Sequence, residues 1–146
     1  MYIDELNEFC DAEALAAGTG RQLVGDVIDL GAGVKDIGHG QPLYLVIQID
    51  TVISGTSSTV DFELASDAAA AIATDGSATV HYATGAIAEA TLVAGYQVCA
   101  IALPQGTYER YLGILANVGT ATVTGAINAF LTTEPNKHLA YADGAR

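Results

Sequence analysis

Pro42-Leu43-Tyr44-Leu45-Val46-Ile47-Gln48-Ile49-Asp50 is the stretch on which the fold turns. Leu43, Leu45, Ile47 and Ile49 recur with a period of two, the spacing of side chains on one face of a β-strand. Tyr44, Val46, Gln48 and Asp50 between them are mixed, so this strand is central in its sheet or covered on both faces. Pro42 cannot donate to a sheet ladder and marks the start of the strand.

The same period recurs on both sides of this segment. Val60, Phe62 and Leu64 alternate with Asp61 and Glu63, which predicts a half-exposed strand after the turn Ser54-Gly55-Thr56-Ser57-Ser58. Asp67 to Thr74 is an alanine run that fits a short helix or a loop. Asp75-Gly76 is a turn signal before a strand around Thr79 to Tyr82, and Ala86 to Ala90 is ambiguous between helix and sheet. Tyr96 to Leu103 is apolar nearly throughout and stops at Pro104. Arg110 to Val118 turns Leu112, Ile114, Ala116 and Val118 to one face. Ala121 to Thr133 does the same with Val123, Ile127, Ala129 and Leu131. Upstream, Leu23 to Leu30 is strand-like, and the glycines at 31, 33, 38 and 40 mark a turn-rich loop.

These segments predict an all-β chain, a jelly-roll β-sandwich of about eight antiparallel strands over residues 21–133. An immunoglobulin-like topology is the other candidate, but Trp is absent and there is no Cys–Trp–Cys arrangement. Residues 1–20 read as an N-terminal arm, a short helical turn or an extended piece ordered by a neighbour, since Leu6, Phe9 and Cys10 have helix-like spacing on a stretch too short to hold itself. Residues 134–146 read as a polar C-terminal tail. The length of 146 residues fits one domain.

Charge narrows the function classes. The chain carries 17 acidic and 5 basic residues, a formal net charge of -12, and Asp4, Glu5, Glu8, Asp11 and Glu13 all precede the first base, Arg21. Five cations cannot track a phosphate backbone or make a polybasic membrane patch, so neither nucleic acid nor a membrane is expected as a partner. No apolar run is long enough to span a bilayer, and MYIDELNEF does not resemble a secretory signal. Cys10 and Cys99 fit two reduced, partly buried thiols, as expected of a protein made in a cytoplasm.

The search for chemistry returns little. His39 lies in a glycine loop, His81 alternates outward on a strand and His138 is in the tail; none has a second histidine within five positions, so no cupin-like metal site is expected. Gly31-Ala32-Gly33-Val34-Lys35-Asp36 is neither GxGxxG nor a P-loop. There is no GxSxG, Ser77 has no base nearby in sequence, and Cys99 lies in an apolar strand. Asp61 and Glu63 share an outward strand face that could serve calcium or a glycan, though a solvated face explains them as well. Neither a catalytic site nor a cofactor is therefore expected. Tyr108 and Tyr111 bracket Glu109-Arg110, and tyrosine and arginine are favoured anchors of protein interfaces. Packing of the two tyrosines and an internal ion pair of Arg110 are the alternatives.

The residues now assembled are collinear with one family. Met1-Tyr2-Ile3-Asp4, Asp11-Ala12-Glu13-Ala14, Val27-Ile28-Asp29-Leu30-Gly31 and Asp36-Ile37-Gly38-His39-Gly40-Gln41-Pro42-Leu43-Tyr44 come first. Leu92-Val93-Ala94-Gly95-Tyr96, Leu103-Pro104, Glu109-Arg110-Tyr111-Leu112, Gly119-Thr120-Ala121 and Ala126 to Leu131 follow. In order and spacing the chain resembles the capsid cement (decoration) proteins of tailed bacteriophages, the Bbp16-like family. The alanine-rich run from Asp67 to Ala73 departs from that pattern.

The resemblance implies a jelly roll that binds the outside of an HK97-type major capsid shell and stabilises capsomer junctions without catalysis. It implies a location on the virion exterior. The implied partners are the major capsid protein and a second copy of the chain, a homodimer before a trimer. On this reading the contact residues are Tyr2, Asp4, Leu6 and Phe9 of the arm and Tyr108, Arg110 and Tyr111 of the later turn. The competing reading is a carbohydrate- or receptor-binding jelly-roll module of a virion, using Asp50, Asp61 and Glu63. An enzyme is third.

Overall fold

A computed structural model describes residues 4–16, 18–32, 37 and 40–135. Nine strands follow one another: β1 Glu8–Ala14, β2 Gly20–Asp29, β3 Tyr44–Ser54, β4 Thr59–Asp67, β5 Thr79–Ala83, β6 Ile87–Ala88, β7 Gln97–Ala102, β8 Tyr111–Val118 and β9 Thr124–Thr132. One sheet has the order β1-β9-β3-β7 and the other β2-β8-β4-β5, with β6 also paired to β4. All the pairings are antiparallel. The chain passes from one sheet to the other at nearly every connection, so β1 faces β2, β9 faces β8 and β3 faces β4. That wrapping is the jelly roll expected from the alternation.

The inner faces interdigitate. Leu45, Ile47 and Ile49 of β3 meet Val60, Phe62 and Leu64 of β4, Leu112, Ile114 and Ala116 of β8, and Ile127, Ala129 and Leu131 of β9. Burying each large side chain of this set stabilises the fold by about 1.5–3 kcal/mol. β3 lies between β9 and β7, and its outward Val46 is fully buried, as is its neighbour Phe130. The strand is both central and covered on both faces.

The second sheet is also covered on its outside, which the alternation of β4 did not foretell. The run from Asp67 to Thr74 is neither a helix nor a free loop. It folds back over the sheet, where Ile72 packs with Ala65 and Leu115. Asp67 holds it in place, accepting from the N–H groups of Ala69 at 3.1 Å and Ala73 at 3.0 Å. Gly113 leaves room for Ile72, because a Cβ there would lie 2.5 Å from its Cδ1. Glu63, expected on a solvated face, is 3% exposed and pairs with Arg21 through two bonds of 2.8 and 3.0 Å.

The larger correction concerns the N-terminus. Residues 8–14, read as part of a free arm, form β1 and pair with β9. Phe9 is 1% exposed and Leu15 5%, so both belong to the core. The ladder has two register shifts, after Glu8 and after Cys10, which erase the period of two and left only a helix-like spacing to read. Gly25 of β2 lets this strand approach. At φ +70°, a Cβ on it would sit 2.3 Å from the Phe9 carbonyl oxygen. Among the described residues no helix is long and apolar enough to cross a membrane.

Candidate functional site

The predicted contact residues fall in two places. Asp4 caps a 3-10 turn over Glu5–Asn7, its carboxylate accepting from the Leu6 N–H at 3.1 Å and the Asn7 side-chain amide at 3.5 Å. That cap turns Leu6 outward, 80% exposed, the most exposed of the large apolar side chains among the described residues. Phe9 points the other way into the core and cannot serve as a contact. Tyr2 lies outside the described residues.

The turn and β1 form one wall of a cleft of about 580 Å³, lined by Glu5, Leu6, Glu8, Asp26, Val27, Ile28 and Asp29. A smaller cleft of about 150 Å³ adjoins it and adds Asp11. Asp26 comes from β2, and the sequence reading did not single it out. No signal in the sequence placed it there, because only the fold brings β2 behind the N-terminal turn. Among the described residues, none of Glu5, Glu8, Asp11, Glu13 or Asp26 makes an ion pair. This corner therefore projects uncompensated negative charge around an exposed leucine. Such a surface attracts a cationic partner and weakens as salt screens it, over a Debye length of about 8–10 Å.

The second place does not form an exposed anchor. Tyr108 is 3% exposed. Its hydroxyl donates to the Pro104 carbonyl, and its ring stacks on His81 with centroids 4.0 Å apart. Burial pushes its hydroxyl pKa up. Arg110 makes the internal ion pair, meeting Asp29 through two bonds of 2.9 Å, and lies 5.0 Å over the half-buried Tyr111 ring. Of the predicted contact residues, Leu6 lines the larger cleft and Phe9 the smaller, Asp4 caps the turn beside them, and Arg110 meets the corner through its bonds to Asp29.

His81 was expected to point outward from its strand. A register shift between β4 and β5 brings its Nε2 within 2.7 Å of the Ser66 hydroxyl. That hydroxyl also accepts from the Glu109 N–H at 3.1 Å. Burial lowers the histidine pKa, and the Glu109 charge opposes this in part. A serine beside a histidine resembles a nucleophile and its base, but Ser66 is fully buried and no substrate atom can reach it. His39 and His138 lie outside the described residues.

The remaining candidates are tied into the fold. Asp61 accepts from the Gly85 N–H at 3.0 Å and the Thr84 hydroxyl at 3.2 Å, so neither it nor Glu63 offers a free carboxylate to a glycan. Asp50 accepts from the Thr51 hydroxyl at 3.1 Å, and Ser77 is held by Asp75. Burial drives the Cys10 thiol to about 12 and the Cys99 thiol to about 11, so both stay protonated and unreactive. Among the described residues, no group of three or more His, Cys, Asp and Glu side chains is placed to hold a metal ion.

A comparison with curated proteins finds no match. The Bbp16 family model matches residues 9–131, from the first core residue of β1 to the last buried leucine of β9. Since that match takes in the whole sandwich, the chain belongs to the Bbp16 family.

Proposed function

We propose that this chain is a non-catalytic capsid cement protein, binding the outer surface of an HK97-type phage major capsid shell and stabilising capsomer junctions. The observation that carries the reading is the Bbp16 match over both sheets. Its support from the molecule is mechanical. A jelly roll packed inside, with buried side chains on both outer faces as well, changes little on docking and loses little entropy there. Many modest contacts repeated around a symmetric shell then add through multivalency.

On this reading the acidic corner is the shell-facing surface, with Leu6 as its apolar anchor. The complementary patch on the shell presents Arg and Lys. The chain works as an oligomer on the virion exterior after synthesis in the bacterial host.

The test is co-sedimentation of the purified chain with unexpanded and expanded shells. Saturable, stoichiometric binding to at least one form is expected, together with a higher temperature of shell disruption. Absence of binding to both overturns the reading. Trimming residues 2–6 removes the turn while leaving β1, and occupancy should fall. Unchanged occupancy would remove the corner from the contact and leave the cement function standing.

A further inference from the structure

Among the described residues five strands lie at sheet edges: β1 and β7 at the ends of one sheet, and β2, β5 and the two-residue β6 at those of the other. Four of them are guarded, β6 by its shortness. β1 carries Glu8, Asp11 and Glu13, and β2 carries Arg21, Asp26 and Asp29. β5 is five residues long, is shifted in register beside His81, and has Glu109 bound to its Thr79 at 2.8 Å. Charge, shortness and bulges are the devices by which sheets avoid edge-to-edge pairing. β7, Gln97–Ala102, carries no charge and no proline, and its ladder is regular from Cys99 to Ala102.

Its main chain is also open. The Leu103 N–H donates to the Leu43 carbonyl at 2.8 Å. Carried along the register Leu45–Ile101 and Ile47–Cys99, that bond turns the main-chain groups of residues 99, 101 and 103 toward β3. The N–H and C=O groups of Ala100 and Ala102 therefore face away from β3, and both residues are exposed. Three of the exposed large apolar side chains flank the same end of this sheet: Val52 at 47%, Val93 at 50% and Tyr96 at 37%. The Ile49 N–H to Tyr96 carbonyl and Ile53 N–H to Leu92 carbonyl bonds hold that flank against β3.

We propose that β7 is a self-association edge: two copies pair their β7 strands antiparallel about a two-fold axis, Ala100 of one opposite Ala102 of the other. The two four-stranded sheets then form one continuous sheet across the dimer. Charge selects this occupant. A two-fold contact sets each surface against itself, and for a chain of net charge -12 most self-contacts oppose carboxylate to carboxylate. A cationic partner is drawn to β1 and its corner. The β7 edge has nothing to attract it and nothing to repel a copy. Asp50, the nearest acid along β3, falls at opposite ends of the paired strands. Pro104 lies just beyond the contact and ends the ladder.

This assignment specifies the homodimer within the function proposed above, but it does not depend on shell binding. Light scattering on the purified full chain should give twice the 14.9 kDa of the monomer. A wild-type monomer overturns the proposal, including the case in which a strand of a shell protein takes this edge. Ala102→Pro removes an outward N–H that the fold does not use, and should give a monomer with unchanged circular dichroism. Ala100→Lys reads the edge a second way if the proline variant does not fold. It lowers the magnitude of the net charge, so general repulsion falls, yet the two lysines lie diagonally across the new ladder, each opposite an Ala102, and dimer Kd should rise at least about tenfold. Dimers that persist in the folded variants overturn the proposal. Wild-type dimers should tighten with added salt, which screens the repulsion between two acidic copies, and weakening would count against the assignment.

Discussion

Cys10 and Cys99 sit on the two opposite edges of one sheet, Cys10 on β1 and Cys99 on β7, and both are buried to 7% exposure. Their strands are otherwise opposites. β1 is broken by two register shifts and carries three carboxylates, whereas β7 is uncharged. The core treats the two edges alike, since each inserts a thiol and apolar neighbours between the sheets. Solvent and partners meet two different surfaces. Inward side chains fix whether an edge belongs to the fold, and outward charge and main-chain geometry fix what may join it.

The largest effect should come from Phe9. Phe9→Ala removes a fully buried ring and should cost about 3–5 kcal/mol in urea unfolding, a large share of the stability of a domain this size. Leu6→Ala, three residues away, should cost less than about 0.5 kcal/mol. Equal small costs would show that β1 is an arm after all and break the comparison at its root.

Gly25→Ala separates the edges. The added methyl collides with the Phe9 carbonyl and the Cys10 Cβ, at an expected cost of about 1–3 kcal/mol from overpacking, more if the positive φ also relaxes. Thiol labelling of the native protein reads where this acts. Cys10 should label faster in the variant and Cys99 at the wild-type rate. Parallel acceleration of both would mean that the sheet opens as one unit.

Acid should loosen neither edge first. Burial depresses the folded pKa of His81, so below its ordinary value of about 6.5 the unfolded chain takes up the proton first. The contribution of neutral His81 is complete above that value and is lost as pH falls through it toward the folded pKa. The urea midpoint should drop between about pH 7.5 and 5.5, and His81→Gln should flatten that dependence. Hydrogen exchange should rise along β4 and β5, while Cys10 and Cys99 stay equally protected.

The smallest effect on stability should come from the acidic corner. Glu5→Lys and Asp26→Lys change exposed charges with no ion-pair partner and should move stability by less than about 0.5 kcal/mol. Both should lower shell occupancy and flatten its salt dependence. Full occupancy with the same salt slope would dissociate the corner from the shell.

Where a strand keeps its period, its sequence could be read. Leu45, Ile47 and Ile49 of β3, and Leu112, Ile114 and Ala116 of β8, point inward as their alternation required. Where the ladder shifts, the reading failed. Two shifts left β1 open between a helical turn and an extended piece, and one beside His81 reversed the expected direction of its ring. The site was less legible than the fold. The acidity of the first 13 residues was visible, but Asp26 joins it only because β2 passes behind the turn. Tyr108 and Arg110 had the composition of interface anchors, and the fold spent them on His81 and Asp29 instead.

By itself the sequence determined an all-β chain, the identity of its inner faces and an excess of acid concentrated near the N-terminus, because alternation and composition are local properties. Only the tertiary structure decided that Phe9 is core, that Glu63 is buried against Arg21, and that β7 is a regular, uncharged edge. Those outcomes depend on which distant strand becomes a neighbour. A ladder's neighbours are set by packing across the whole sandwich, not by the residues of any one strand.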